Sequence, residues 1–261
     1  IMPSLVGSEM CIRDSTATFH MKEGLGTYKS PGLEKKYPGI MWSQFLGAEM
    51  IAKKHDLSKD ELDRFALQSH TKAIAATKSG AFQSEIVPVR VETSDGEETH
   101  AVDEGIRFDA SLDSIASIKK LSEEGRLTAA TSSQICDGSS AVLIMSEAAL
   151  NAHGLTPLAR VHNVTVTAGD PVIMLEEPLF ATDKALQRAG LSINDIDLYE
   201  VNEAFAPVPL AWLRHTGADP EKLNINGGAI ALGHPLGASG TKLMATLVHA
   251  LKAGGLKYGL Q

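Results

Sequence analysis

The stretch Asn224-Ile-Asn-Gly-Gly-Ala-Ile-Ala-Leu-Gly-His-Pro-Leu-Gly-Ala-Ser-Gly240 decides how this chain is read. It places one histidine, His234, on a turn where little else has bulk. Gly227, Gly228, Gly233, Gly237 and Gly240 let backbone and ligand approach closely, because a residue without a β-carbon tolerates positive φ. Pro235 suits the first turn of a helix. A helix of small and apolar residues is predicted over 238–253. The histidine therefore falls between a strand end and a helix N-terminus, where the helix dipole favours a developing negative charge. By itself such a turn reads equally well as a structural loop carrying a solvated histidine.

A second stretch shifts that balance. Asp197-Leu-Tyr-Glu-Val-Asn-Glu-Ala-Phe-Ala206 reads as a short strand ending at Asn202, then a helix opening. Two strand ends, each presenting one polar residue, can converge on one oxygen.

Working outward, strands are predicted over 158–166, 198–201 and 223–226, alternating with helices over 181–189, 205–215 and 238–253. This alternation implies a largely parallel sheet covered on both faces. Upstream, residues 16–57 begin with loop punctuation, and 43–55 has helical spacing. Ser58 reads as an N-cap with Glu61 placed to close a capping box, opening a helix over 59–79 that Gly80 ends. Residues 85–92 alternate like a strand, and Ser94-Asp95-Gly96-Glu97 is a turn signal. A short helix is predicted over 111–118, a buried strand over 139–146 and a helix over 147–153. No internal repeat of fixed period is present.

Asn202-Glu203-Ala204-Phe205 and Gly233-His234-Pro235-Leu236-Gly237-Ala238-Ser239-Gly240, with Thr128-Ala129-Ala130-Thr131-Ser132-Ser133-Gln134 upstream, together resemble the thiolase family. The resemblance covers roughly residues 20–261. It implies an α/β thiolase fold: a mostly parallel sheet with helices on both faces (layered αβαβα), plus an inserted α+β loop domain that covers CoA. By that resemblance residues 16–127 are part of the loop domain, 128–155 end the first α/β half, and 156–261 form the second half without its last segment. Ketoacyl-ACP synthases share the fold and a similar Gly-His-x-x-Gly turn, but they usually carry a second histidine motif where this chain has Asn202-Glu203.

The resemblance also implies chemistry. Thiolases cleave 3-oxoacyl-CoA with CoA, or condense two acyl-CoA molecules, through a cysteine acyl-enzyme. CoA is a substrate, and no cofactor is expected. His234 is expected to keep the nucleophilic thiolate ionised and to donate to the thioester oxygen. Asn202 is expected to hold a water that completes the same oxyanion hole. Donors of this kind typically contribute about 3–4 kcal/mol each. Glu203 is expected to orient the turn or to be simply a buried, hydrogen-bonded carboxylate. Ala129 and Ser133 match positions along the CoA pantetheine, and Ala204 and Phe205 match the tunnel wall, with an ordinary core phenylalanine as the alternative for Phe205. Two departures, at Ser43-Gln44-Phe45-Leu46-Gly47 and Lys119-Lys120-Leu121-Ser122, lie around the acyl and nucleotide pockets and leave chain-length preference and reaction direction open.

The attacking species in such a reaction is a thiolate. The family places its nucleophilic cysteine before the loop domain, and its acid/base cysteine after a segment like Lys257-Tyr258-Gly259-Leu260-Gln261. Neither motif is in this sequence, so the chain reads as truncated at both ends. Cys136 stands where the family places no nucleophile and is expected to be a small packing residue. Residues 1–15 resemble a translated linker tract, which sets Cys11 aside. If an unbroken reading frame lacked both cysteines, a non-catalytic thiolase-fold module for acyl-CoA or lipid would be the alternative.

Composition narrows the classes. With 24 Lys and Arg against 32 Asp and Glu, the net charge is −8, which argues against a general nucleic-acid binder. No apolar run reaches the roughly 18 residues of a membrane span. Two distant cysteines form no disulfide framework, and no His or Cys clustering suggests a metal site. A cytoplasmic location, acyl-CoA and CoA as partners, and a homodimer or homotetramer for the full-length protein are expected.

Overall fold

The computed structural model describes residues 30–261. Residues 1–15, the start of the 16–127 segment and Cys11 lie outside the described residues.

Local signals set most helix boundaries. Helix α1 (Pro31–Lys36) opens behind Ser30, whose hydroxyl accepts from the Leu33 amide. Helix α2 (Gln44–Lys54) is capped by Ser43 and buries Ala48, Ile51 and Ala52. Helix α3 (Lys59–Ser79) starts at the predicted capping box: Ser58 accepts from the Glu61 amide while the Glu61 carboxylate accepts from Ser58 N. It stops at Gly80, whose φ of 75° is open to glycine at little cost.

An antiparallel hairpin follows, β1 (Val89–Thr93) and β2 (Gly96–His100), in register from Val89 against His100 to Thr93 against Gly96. Then come α4 (Leu112–Ala116), a 3-10 turn at Ala129–Thr131, and α5 (Glu147–Ala152). The second half runs α6 (Glu177–Ala189), β3 (Leu198–Tyr199), α7 (Pro207–Thr216), α8 (Ala229–Leu232), α9 (Ser239–Gly254) and β4 (Gly259–Leu260).

β3 and β4 are parallel, pairing Leu198 with Gly259 and Tyr199 with Leu260. Leu223 makes a parallel bridge to the other side of Tyr199. Three parallel runs thus lie side by side, with β3 between the Leu223 segment and β4. Helix α9 packs against β3 and β4, and α2, α3 and α7 share one buried core with Tyr199. Trp212 of α7 is fully buried beside Tyr199, with ring centroids 5.2 Å apart, and its indole N–H donates to Thr182 Oγ1 at 2.8 Å.

Five sequence expectations need correction, the first being that residues 31–36, within a stretch read as loop, form α1. Residues 85–92 form a strand only from Val89, and the preceding residues turn back onto α3. The 223–226 run makes one bridge rather than a strand, because Asn224 turns at φ 44° and spends its side chain on the neighbouring backbone. Residues 139–146 and 158–166 form no strand at all. Their apolar composition suits a sheet interior, but among the described residues no strand lies alongside to complete a ladder. Leu143, Ile144, Val164 and Val166 are each more than half exposed. The carbonyls of Val164 and Val166 accept instead from Arg188 and Lys184 of α6.

Candidate active site

Three buried side chains hold the site in shape. Asn224 reaches across to the end of β3, where its Oδ1 accepts from Val201 N and its Nδ2 donates to Val201 O, both at 2.9 Å. The same Nδ2 donates to Glu203 Oε1 at 2.8 Å. Glu203 is 1% exposed, and its other oxygen accepts from Ser69 of α3 at 2.6 Å and from the Ile230 amide at 3.2 Å. Burial pushes the Glu203 carboxyl above the usual carboxylate range, and these hydrogen bonds oppose the rise. One carboxylate thus ties the residue after Asn202 to α3 and to α8. Glu203 is thus a buried, hydrogen-bonded carboxylate.

His234 arrives from the other direction. Gly233 bends the chain at φ 81°, and a β-carbon there would stand 2.4 Å from Cys136 Sγ. The His234 amide donates to Gln134 O at 3.1 Å, while the Gln134 side-chain amide donates to Gly105 O and Ile230 O. The expected strand directly before this turn is replaced by α8, so the histidine sits between two helices, ahead of α9.

These supports bring Asn202 and His234 together. Asn202 Nδ2 lies 3.3 Å from His234 Nε2. On the far side of the ring, His234 Nδ1 meets Ser239 Oγ at 2.5 Å. Ser239 Oγ also lies 3.1 Å from Pro235 O, which accepts only. A serine hydroxyl has one proton. With that proton on the Pro235 carbonyl, Ser239 accepts from His234 Nδ1–H, and the ring's lone pair is left at Nε2, facing the Asn202 amide. Burial, then Lys242, lowers the His234 pKa, which favours the neutral ring. The arrangement is a base at Nε2 that becomes a donor at the same atom once it takes a proton.

The remaining candidates fall along one strip. Ser133 N donates to Ala204 O at 2.9 Å, and Ser132 bridges to Phe205. Ala129 is exposed at the start of its 3-10 turn. Phe205 is 5% exposed and belongs to the core, with its ring edge-to-face on Phe45 at 5.2 Å. Phe45 is itself half exposed, so this pair joins the core to the surface. Cys136 lies behind Gly233, and burial pushes its thiol pKa up, away from a ready thiolate.

Sequence reasoning passed over Ser239, Asn224 and Gln134, although all three stood inside quoted motifs. Ser69 carried no signal, because its carboxylate partner is 134 residues away. Among the described residues no group of three or more His, Cys, Asp or Glu is placed to hold a metal ion, and no helix is long and apolar enough to cross a membrane.

Comparison with known proteins gives the family. Residues 17–148 match the thiolase N-terminal domain and residues 155–261 the thiolase C-terminal domain. The chain belongs to the thiolase family. It is 52% identical over 219 residues to the steroid 3-ketoacyl-CoA thiolase of Mycobacterium tuberculosis, covering 84% of this chain and 53% of that protein. The crystal structure of human mitochondrial 3-ketoacyl-CoA thiolase in complex with CoA superposes with a TM-score of 0.78 at 44% identity, over 82% of this chain and 53% of that one. The Bacillus anthracis acetyl-CoA acetyltransferase superposes with a TM-score of 0.81 at 36% identity, over 85% and 58%. The chain spans about half the length of the relatives it matches. Its fold is the α/β thiolase fold, of which the small sheets here are a part.

Proposed function

We propose that residues 30–261 supply the oxyanion site and part of the CoA cover of an acyl-CoA C-acyltransferase. The reaction is thiolytic cleavage of a 3-oxoacyl-CoA, or the reverse condensation. The observation that carries this reading is the Asn202–His234 pair at 3.3 Å, with Ser239 turning the His234 lone pair toward it.

In this reading His234 Nε2 takes the proton from a cysteine thiol, and the resulting thiolate attacks the substrate carbonyl. The new Nε2–H then faces the negative oxygen, with the Asn202 amide or a water held by it as the second donor. Ser133, Ala129 and Ala204 line the pantetheine approach, with Phe205 behind them. The nucleophile is a cysteine other than Cys136, whose raised pKa and packed position behind Gly233 oppose attack. The 261-residue chain by itself is therefore expected not to form an acyl-enzyme. Membership of a family whose relatives include a CoA complex supports CoA and acyl-CoA as partners. The exposed apolar segments support a dimer or tetramer for the full-length protein. The absence of a disulfide pattern supports a cytoplasmic location.

The test is a full-length protein carrying these residues, assayed with CoA by the loss of ultraviolet absorbance of acetoacetyl-CoA. His234→Ala is expected to remove most activity and Asn202→Ala about a hundredfold. CoA binding without turnover in the unmodified protein would instead assign a non-catalytic acyl-CoA-binding module.

A further inference from the structure

A small cavity lies behind the Asn202–His234 pair, between the end of β3, the turn before α8, and α9. Counted as room for the centre of a water-sized sphere, it measures about 10 Å³, enough for one water. Its polar lining side chains are Glu200, Asn202, Ser239, Lys242 and Thr246. Three of these have partners. Ser239 is taken by His234 and Pro235, Lys242 donates to Leu232 O at 3.1 Å, and Thr246 donates to Glu85 Oε1 at 3.1 Å.

Two atoms are left over. Glu200 Oε2 and Asn202 Oδ1 are both buried with no hydrogen-bond partner, and Glu200 is only 3% exposed. A buried acceptor without a donor costs about 1–3 kcal/mol. Burial, with Glu203 and Glu85 adding to it, holds the Glu200 carboxyl well above the usual carboxylate range and keeps it protonated; one water can accept from that carboxyl and donate to Asn202 Oδ1.

We propose that Glu200 is a positioning residue for Asn202: a single water in this cavity accepts from the Glu200 carboxyl at Oε2 and donates to Asn202 Oδ1, and so fixes which end of the amide faces His234. An asparagine amide can turn over at little cost in shape. With Oδ1 held on the cavity side, Nδ2 faces His234 Nε2, as found. With Oδ1 turned to the ring, Nε2 would have to carry the proton, and Ser239 would have to donate to Nδ1. Glu200 thereby sets the tautomer of a ring it does not touch. This role presumes the reading of Asn202 and His234 as the oxyanion pair only for its effect on turnover.

The test uses the full-length 15N-labelled protein without substrate, so its outcome is independent of whether the protein turns over CoA thioesters. One-bond proton–nitrogen correlation of the His234 ring should place the proton on Nδ1. Glu200→Gln keeps a donor for the water and should leave it there. Glu200→Leu removes that donor and should move the proton to Nε2. A folded Glu200→Leu protein that keeps Nδ1–H, or a Glu200→Gln protein that shifts as the leucine variant does, overturns this role. A crystal structure of the unmodified protein gives a second readout that does not depend on either variant folding. One water within hydrogen-bond distance of both oxygens is expected; an empty cavity, or a water on only one of them, overturns it.

Discussion

A β-carbon placed on Gly228 would stand 2.2 Å from Glu203 Cδ. The backbone of the turn before α8 thus lies directly against the carboxylate that ties α3, Asn224 and α8 together. Gly228→Ala is expected to destabilise the fold by about 1–3 kcal/mol, since the carboxylate cannot retreat without dropping its donors. Urea unfolding of the two proteins reads the difference. A change below about 0.5 kcal/mol would show that Glu203 has room to move.

Ser239 sets the ring that Asn202 faces. Ser239→Ala removes the acceptor at Nδ1 and frees either tautomer. A lost hydrogen bond of about 1–1.5 kcal/mol corresponds to roughly a tenfold fall in kcat/KM in the full-length protein, with little change in melting temperature. Ser239→Thr keeps the hydroxyl and should restore part of the rate. Equal loss in both variants would mean that bulk, not the hydroxyl, matters at this position.

Cys136→Ser should leave turnover of the full-length protein nearly unchanged. Alkylation of Cys136 by iodoacetamide near neutral pH should be slow, because burial holds the thiol above its usual pKa. If this substitution inactivated the protein, the nucleophile would have been assigned wrongly.

Glu85 provides a pH dependence of stability. Burial pushes its carboxyl up to about 7; Thr246 and Lys242 oppose the rise and Asp103 adds to it. One of its oxygens is buried without a partner. The folded pKa is above the unfolded one, so the folded state holds the proton more tightly. Below about pH 4.5 the group is protonated in both states and costs nothing in charge burial. Stability then falls as pH rises from 4.5 toward 7 and stays lowered above it. With allowance for partial solvent screening, the cost is about 1–3 kcal/mol at pH 8. Glu85→Gln should raise the melting temperature at pH 8 and not at pH 4.5. An equal effect at both pH values would contradict this assignment.

The exposed apolar segments should make the 261-residue chain associate with itself. Leu143, Ile144, Val164 and Val166 present exposed apolar side chains outside any strand ladder. Light scattering after size exclusion should show species larger than a monomer, and Ile144→Lys with Val166→Lys should reduce them. A monodisperse, cooperatively melting monomer would count against this.

How far the sequence reached follows from the range of each signal. Ser58 with Glu61 closes a capping box across three residues, and Ser43, Ser111 and Gly80 act within one turn of their helices. Such bonds form wherever those residues stand, so α2, α3 and α4 were legible from spacing, whereas α1 lay in a stretch read as loop. The Asn202 and Gly233-His234-Pro235 motifs marked the site, and the chain does bring them side by side. The runs 139–146 and 158–166 misled, because apolar composition specifies a strand only when another strand supplies the ladder.

The residue order by itself therefore determined the family, most local helix starts and stops, and the two residues, Asn202 and His234, that the fold brings within 3.3 Å of each other. Only the tertiary structure decided what those residues can do. The lone pair of His234 points to Asn202 because Ser239 is held by Pro235. Asn202 is in place because Glu203 meets Ser69 across 134 residues and Asn224 across 21. Hydrogen bonds of that reach exist only once α3, β3 and α8 have packed and excluded water from between them.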